Sequence, residues 1–264
     1  MTLAVLDLCF SYGPGGRRLE GISFSAGARD VVCILGPNGS GKTTLLRCLI
    51  GGLAIASGRI TLAGQDATRL PPRRLARLVA YVPQGTQSVF GHRVLDIVMM
   101  GRSAHLRHFQ TPGPRDEEIA VAALERVGIA GLAERSFSTI SGGERQLCLL
   151  ARAVAQKPAV LILDEPAASL DFANQARILD ILAGLADGGL AVVMTTHHPD
   201  HALQIGTQVL GLRDGRVIAD GPASRVLDEG FLTGLYGTPI RVIRSPDGLA
   251  ACRPCPSHAS TGVF

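Results

Sequence analysis

No apolar run in this 264-residue chain approaches the roughly 20 residues needed to cross a bilayer. The longest candidates, 31–35, 160–163 and 190–194, stop at polar residues or Gly and read as buried strands. The opening MTLAVLDLCF lacks a basic leader and a cleavage site, so no signal peptide is expected. Segments dense in Lys and Arg are missing as well. The 26 basic and 22 acidic side chains leave a formal charge of +4, which suits an anionic small ligand or a membrane surface but does not argue for nucleic acid. There are no internal repeats and no coiled-coil segment. The six cysteines do not form a secreted framework: Cys9, Cys33, Cys48 and Cys148 lie among apolar neighbours and read as reduced core residues. Cys252 and Cys255 form CRPC near the end, with only His258 at hand, which is too few ligands for a metal or redox site.

What is present is ordinary globular composition, 46% hydrophobic and 18% charged, on a chain long enough for one large domain or two small ones. Val5, Leu8, Phe10, Ile22 and Phe24 alternate with polar residues around the turn Gly13-Pro14-Gly15-Gly16, which predicts antiparallel strands. A strand, Gly-rich loop and helix from Val31 onward open a parallel α/β unit. From about 86 to 157 the pattern turns helical. There Ile119, Ala122, Ala123 and Arg126 stand at helical spacing, and Gly128 is placed to end that helix. Strands return at 160–163 and 190–194 around a helix over roughly 172–186. The expectation is an α/β core over 1–238, split by a helical insertion, with a loosely attached Pro-, Ser- and Cys-containing tail over 239–264.

Gly36-Pro37-Asn38-Gly39-Ser40-Gly41-Lys42-Thr43 fits the phosphate-loop pattern G-x-x-x-x-G-K-[ST] in full. The glycines let the backbone curl so that successive N–H groups point at phosphate oxygens, and the helix that follows presents its positive end to the same anion. Lys42 can reach the outer phosphates, and Thr43, followed by Thr44, can offer a hydroxyl to Mg²⁺. Residues 160–163 then make a buried strand that ends in Asp164 and Glu165. Asp164 suits the Mg²⁺ shell, and Glu165 suits the polarisation of an attacking water. Because strand neighbours point to opposite faces, the chain must twist there or the two acids must do different jobs.

The next elements resemble the ABC ATPase family over nearly the whole chain. Ile140-Ser141-Gly142-Gly143-Glu144 resembles that family's LSGGQ signature, Tyr81-Val82-Pro83-Gln84 its Q-loop, and Ala168-Ser169-Leu170-Asp171 its D-loop. Thr195-Thr196-His197 resembles its H-switch, and Tyr12 in Phe10-Ser11-Tyr12-Gly13 matches the aromatic that stacks on adenine. The resemblance implies a phosphate-loop α/β core with an N-terminal antiparallel β subdomain and an inserted helical subdomain. It implies Mg-ATP as the nucleotide and hydrolysis carried by Glu165, His197, Lys42 and Gln84, with Thr43, Gln84 and Asp164 on the metal. It also implies a head-to-tail dimer in which Ser141, Gly142 and Gly143 of one copy cap the ATP of the other and Asp171 communicates across it. Three positions depart from the pattern: Ile140 for Leu and Glu144 for Gln in the signature, and Ala168 for Ser in the D-loop. A carboxylate at a helix N-terminus is tolerated by the dipole.

Residues 94–103, 165–172 and 197–202 resemble importers of metal chelates: iron–siderophore, haem, cobalamin and related molybdate systems. That implies a permease dimer as partner, an extracytoplasmic binding protein further out, and a place on the cytoplasmic face of the membrane. The permease's coupling helix would sit near 84–94. The pairs His198/His201 and His105/His108 have i, i+3 spacing without a third ligand, and read as exposed polar residues. The rival class is a soluble ABC ATPase acting on nucleic acid, the ribosome or iron–sulfur assembly. The missing basic segments and the single nucleotide domain speak against it. A GTPase leaves the signature unexplained and lacks an N-K-x-D motif.

Overall fold

Leu3, Val5, Leu8 and Phe10 are all buried on β1 (Leu3–Ser11), although strict alternation would turn Leu8 to the opposite face from Val5. The register slips between Val5 and Leu8, where Asp7 adopts a left-handed φ of 47° and its N–H donates to Ser23 Oγ at 2.9 Å. That bulge returns Leu8 to the core side. β1 pairs antiparallel with β2 (Arg18–Ala26) and β4 (Ser57–Leu62), and β4 continues the sheet to β5 (Gln65–Asp66). In the computed structural model these features, and all that follow, concern residues 1–264 except 14, 15, 17, 86–90, 108, 248 and 256–264.

The second sheet contains β3 (Val31–Leu35), β6 (Val79–Val82), β7 (Val160–Asp164), β8 (Ala191–Thr196), β9 (Gln208–Arg213) and β10 (Arg216–Pro222). Its order is β10-β9-β3-β8-β7-β6, parallel throughout except for β10 at the edge. β3, β7 and β8 are buried at every residue, as parallel strands covered on both faces must be. Alternate side chains feed two separate cores. Cys33, Leu35, Leu161, Leu163, Val192 and Met194 face one that contains the helical insertion. Val32, Ile34, Val160, Ile162, Ala191 and Val193 face another shared with the N-terminal sheet and α1 (Lys42–Leu49).

Between α2 (Pro72–Leu78) with β6 and the following β7 lie α3 (Val94–Met99), α4 (Pro114–Arg126) and α5 (Gly142–Ala155), which pack on one another. Buried Arg102 ties them together, donating to Asp116 Oδ1 at 3.0 Å and to the Ala155 carbonyl at 2.9 Å. The face of α4 that enters the core is Ala120, Ala123 and Leu124, with Val127 just beyond. Ile119 is partly buried beside them, whereas Ala122 and Arg126 are exposed, so the expected stripe is rotated by about one residue. Gly128 closes the helix at φ 72°, as expected.

α6 (Phe172–Asp187), α7 (Pro199–Ile205), α8 (Ala223–Val226) and α9 (Glu229–Tyr236) complete the core. The tail expectation is corrected up to residue 255. β11 (Ile240–Arg244) and β12 (Ala250–Pro254) form an antiparallel hairpin, and Val242 and Cys252 pack against the core. The strands are short and expose most of their arginines, so their order comes from α7 and α9 and not from their own pattern. Residues 252–254 are extended, which separates the Cys252 and Cys255 Cα atoms by about 10 Å, too far for a disulfide.

Candidate nucleotide site

The phosphate loop leaves β3 and winds into α1 through Gly39 at φ 85° and Gly41 at φ 107°, conformations that side chains resist. Gly36 is required for a different reason. A Cβ there would stand 2.2 Å from the Leu212 carbonyl oxygen and 2.6 Å from Ser40 Oγ. Lys42 is buried and donates to the Gly36 carbonyl at 2.8 Å and the Pro37 carbonyl at 3.3 Å. α1 has no side-chain cap and no acid in its first turn, so its end stays open to an anion.

Opposite Lys42 is Glu165. It follows β7 with a left-handed φ of 47°, a turn that brings its side chain to Lys42 while the side chain of adjacent Asp164 stays buried. Glu165 Oε1 is 3.5 Å from Lys42 Nζ, and its Oε2 is 2.9 Å from His197 Nδ1 and accepts from Gln84 Nε2 at 3.3 Å. Asp164 is 2% exposed and is held by Thr195 Oγ1, which donates to Oδ1 at 2.7 Å, and by the Tyr81 hydroxyl at 3.5 Å from Oδ2. The same Thr195 oxygen accepts the Glu165 N–H at 2.9 Å. Burial, reinforced by Asp164, pushes the Tyr81 phenol up to about 12, so it stays a donor.

Lys42, Thr43, Gln84, Glu165 and His197 border one polar pocket of about 480 Å³, together with Asn38 and Thr44. A neighbouring pocket of about 300 Å³ shares Gly39, Gly41 and Thr44 and runs to Gly16, Arg18 and Asp214. A larger cavity of about 660 Å³ lies elsewhere, between α4 and the ends of α5 and α6. Its lining is mostly apolar and holds no phosphate loop, so the smaller pocket is the one with chemistry. Among the described residues no three His, Cys, Asp or Glu side chains gather as a metal cluster. Of the residues expected on Mg²⁺, Thr43 and Gln84 line this pocket, whereas Asp164 is buried and does not. Oxygen donors of these kinds suit Mg²⁺, which takes few protein ligands and completes its shell with phosphate and water oxygens.

The signature residues stand apart from this pocket. Ser141 caps α5, accepting the Glu144 N–H at 3.3 Å, while Glu144 Oε2 accepts the Ser141 N–H at 2.7 Å. That N–H holds the Glu144 carboxyl below its ordinary range. Glu144 is thus half of a capping box, a fuller account of this departure than tolerance by the dipole. Asp171 caps α6, accepting from the Asn174 N–H at 2.8 Å and from its side-chain amide at 2.9 Å. A Cβ on Gly143 would meet that amide at 2.7 Å, so the signature lies against the first turn of α6, the helix that Asp171 caps. Tyr12 is exposed and meets Phe10 edge-on at 4.8 Å.

The profile of the ABC transporter family matches residues 19–168, more than half of the chain. The chain belongs to the ABC transporter ATPases. It is 38% identical to the hemin import ATP-binding protein HmuV of Nocardia farcinica, over 89% of this chain and 81% of that one. It is 35% identical to the molybdate import ATP-binding protein MolC of Haemophilus influenzae, over 90% and 89%. A solved inward-facing metal-chelate type ABC transporter superposes with a TM-score of 0.86 at 33% identity, over 97% of this chain and 98% of that one. As an ABC ATPase the chain binds nucleotide and couples its hydrolysis to transport. No helix among the described residues is long and apolar enough to cross a membrane.

Two residues at this site carry no signal of their role in the sequence. Thr195 bridges both acids, and Tyr236 reaches the His197 carbonyl. Thr195 lay within the quoted Thr195-Thr196-His197, but its hydroxyl's two partners become visible only once β7 and β8 are paired. The histidine reading is corrected for His201, which is buried, bonded to Thr196 Oγ1 at 3.0 Å, and pushed down to about 4 chiefly by burial. It is corrected as well for His105, which is half-buried with Nε2 2.8 Å from the Gln156 carbonyl, and His108 lies outside the described residues. Burial also raises Cys33 and Cys148 to about 12 and Cys48 to about 11, as reduced core thiols require.

Proposed function

We propose that this chain is the Mg-ATP-hydrolysing subunit of an importer for an iron–siderophore, haem, cobalamin or related metal compound. One observation carries the chemistry: Glu165 faces Lys42, Gln84 and His197 from a single carboxylate. In this reading Glu165 takes the proton of the attacking water, and His197 orients that water and the γ-phosphate. Lys42, with the N–H groups of the loop 36–43, holds the outer phosphates, and Gln84 links the pocket to the helical insertion. Thr43, Gln84 and Asp164 hold Mg²⁺, which when bound neutralises charge on the phosphate oxygens. Tyr12 stacks on the adenine.

Ser141, Gly142 and Gly143 lie outside this chain's own pocket, which supports a head-to-tail pair in which each signature meets the partner's ATP. Closing that pair drives a permease dimer at the cytoplasmic face, with an extracytoplasmic binding protein supplying the cargo. The hemin and molybdate importers among the relatives support the metal-compound class. No observation favours the soluble rival.

Glu165→Gln tests the chemistry. Steady-state turnover should fall at least about 100-fold while ATP binding and ATP-dependent dimerisation persist. Fast turnover by that variant would sink the assignment. Tagged Glu165→Gln, captured from solubilised membranes with Mg-ATP, tests the transport reading. A multi-span permease should co-purify, whereas ribosomal, nucleic-acid or cluster-assembly partners from the soluble fraction would overturn it.

A further inference from the structure

The connection that carries His197 is two residues long, running from the end of β8 at Thr196 to the start of α7 at Pro199. Its histidine side chain is 36% exposed, so packing alone does not hold the ring against Glu165. What fixes it is the backbone beneath, and that backbone is gripped from the far end of the chain. Tyr236, the last residue of α9, donates its hydroxyl hydrogen to the His197 carbonyl at 3.1 Å. The Cys252 N–H of β12 donates to Asp200 Oδ1 in the first turn of α7, at 2.6 Å, and β12 lies along that helix.

The remaining contacts tighten the same segment from within. Thr196 Oγ1 accepts the His198 N–H at 3.1 Å and pairs with His201 Nδ1 at 3.0 Å. The His198 ring sits between those of His197 and His201, with centroids 4.1 and 5.1 Å away. Tyr236 is itself packed against the core together with Val242 and Cys252 of the hairpin. Burial first, then Cys252 and Glu165, push its phenol up, so it stays a donor throughout the working pH range.

We infer that Tyr236 is a positioning residue for His197, and that α9 with the β11–β12 hairpin is a brace that holds the switch histidine in register with Glu165. The physical ground is that a group acting on a transferring phosphoryl must be placed to a fraction of an ångström, and a carbonyl anchor one residue wide does this directly. The inference rests on the reading of His197 given above.

The test uses the full chain, with ATPase kcat and KM, equilibrium ATP binding and Tm measured side by side. Tyr236→Phe keeps the ring and removes only the hydroxyl. It should lower kcat about 5-fold, with KM and ATP affinity within about 2-fold of wild type. Asp200→Ala should lower kcat in the same manner, and Asp200→Asn, which keeps an acceptor for the Cys252 N–H, should restore most of it. A Tyr236→Phe protein with wild-type kcat overturns the inference. So does one in which kcat, ATP binding and Tm fall together, since that marks a structural contact only. A wild-type chain that fails to hydrolyse ATP would instead bring down the proposed function, and this inference with it.

Discussion

α1 and α5 begin alike on paper, each on glycine and a hydroxyl residue, yet their ends are built as opposites. α1 starts from Gly41 at φ 107° with no side-chain cap, leaving its N–H groups to an anion from outside the chain. α5 starts from Ser141, whose own N–H and the N–H of Glu144 are both engaged in a reciprocal capping box. Only the N–H groups of Gly142 and Gly143 remain for anything else. The difference teaches that a Gly-rich helix start is not one kind of object. One end is a complete phosphate cradle, and the other is half satisfied, fit to add a few donors to a ligand held elsewhere.

Breaking α1's end should have the largest consequence. Gly36→Ala drives a methyl into the Leu212 carbonyl, a backbone atom that cannot step aside, and should cost about 3 kcal/mol in urea unfolding with loss of ATP binding. Wild-type stability would show that the loop can give way. Lys42→Ala leaves the fold in place and should weaken ATP binding at least about 10-fold by equilibrium titration. Unchanged binding would count against the phosphate site. At α5, Gly143→Ala meets only the end of the Asn174 side chain. It should leave single-chain ATP binding within about 2-fold and lower turnover about 10-fold. If binding falls as much as turnover, the two ends are not distinct.

The smallest effect sharpens the contrast by pH. Glu144→Ala removes half the capping box and should cost about 0.5 kcal/mol near neutrality. Because the Ser141 N–H holds the folded carboxyl below its ordinary value of 4.5, the stabilisation is complete above that value. It fades as pH falls through the lowered one. The two unfolding curves should therefore converge in acid, measured as the difference in urea midpoint. α1 has no acid in its first turn and no such dependence.

Much of this is legible in the amino-acid sequence alone. The phosphate loop, the buried strands and the Asp-Glu pair carry local signals, since glycine spacing and apolar runs report directly on backbone geometry. The left-handed turn at Glu165 left no such trace, because nothing about a glutamate announces φ 47°. Its cause is tertiary: the Glu165 N–H must reach Thr195 on the neighbouring strand. The C-terminal hairpin was misread as a loose end for a related reason. Arg241, Arg244, Pro254 and the intervening Ser245 look like linker composition, and the face they leave for burial is completed by α7 and α9. Tyr236 was invisible, being one tyrosine at a helix end whose partner lies 39 residues away.

The two cores are fed by alternate side chains of the central strands, and that has a consequence in time. β3, β7 and β8 are sealed on both faces, so their amides can exchange with solvent only when both cores open together. They should be the last in the molecule to take up deuterium. Directly above their carboxyl ends sit the phosphate loop, Glu165 and His197, at the rim of a solvent-facing pocket. The reacting groups are thus carried one residue beyond strands sealed on both faces, so the floor beneath them keeps its place while the side chains at the rim face solvent.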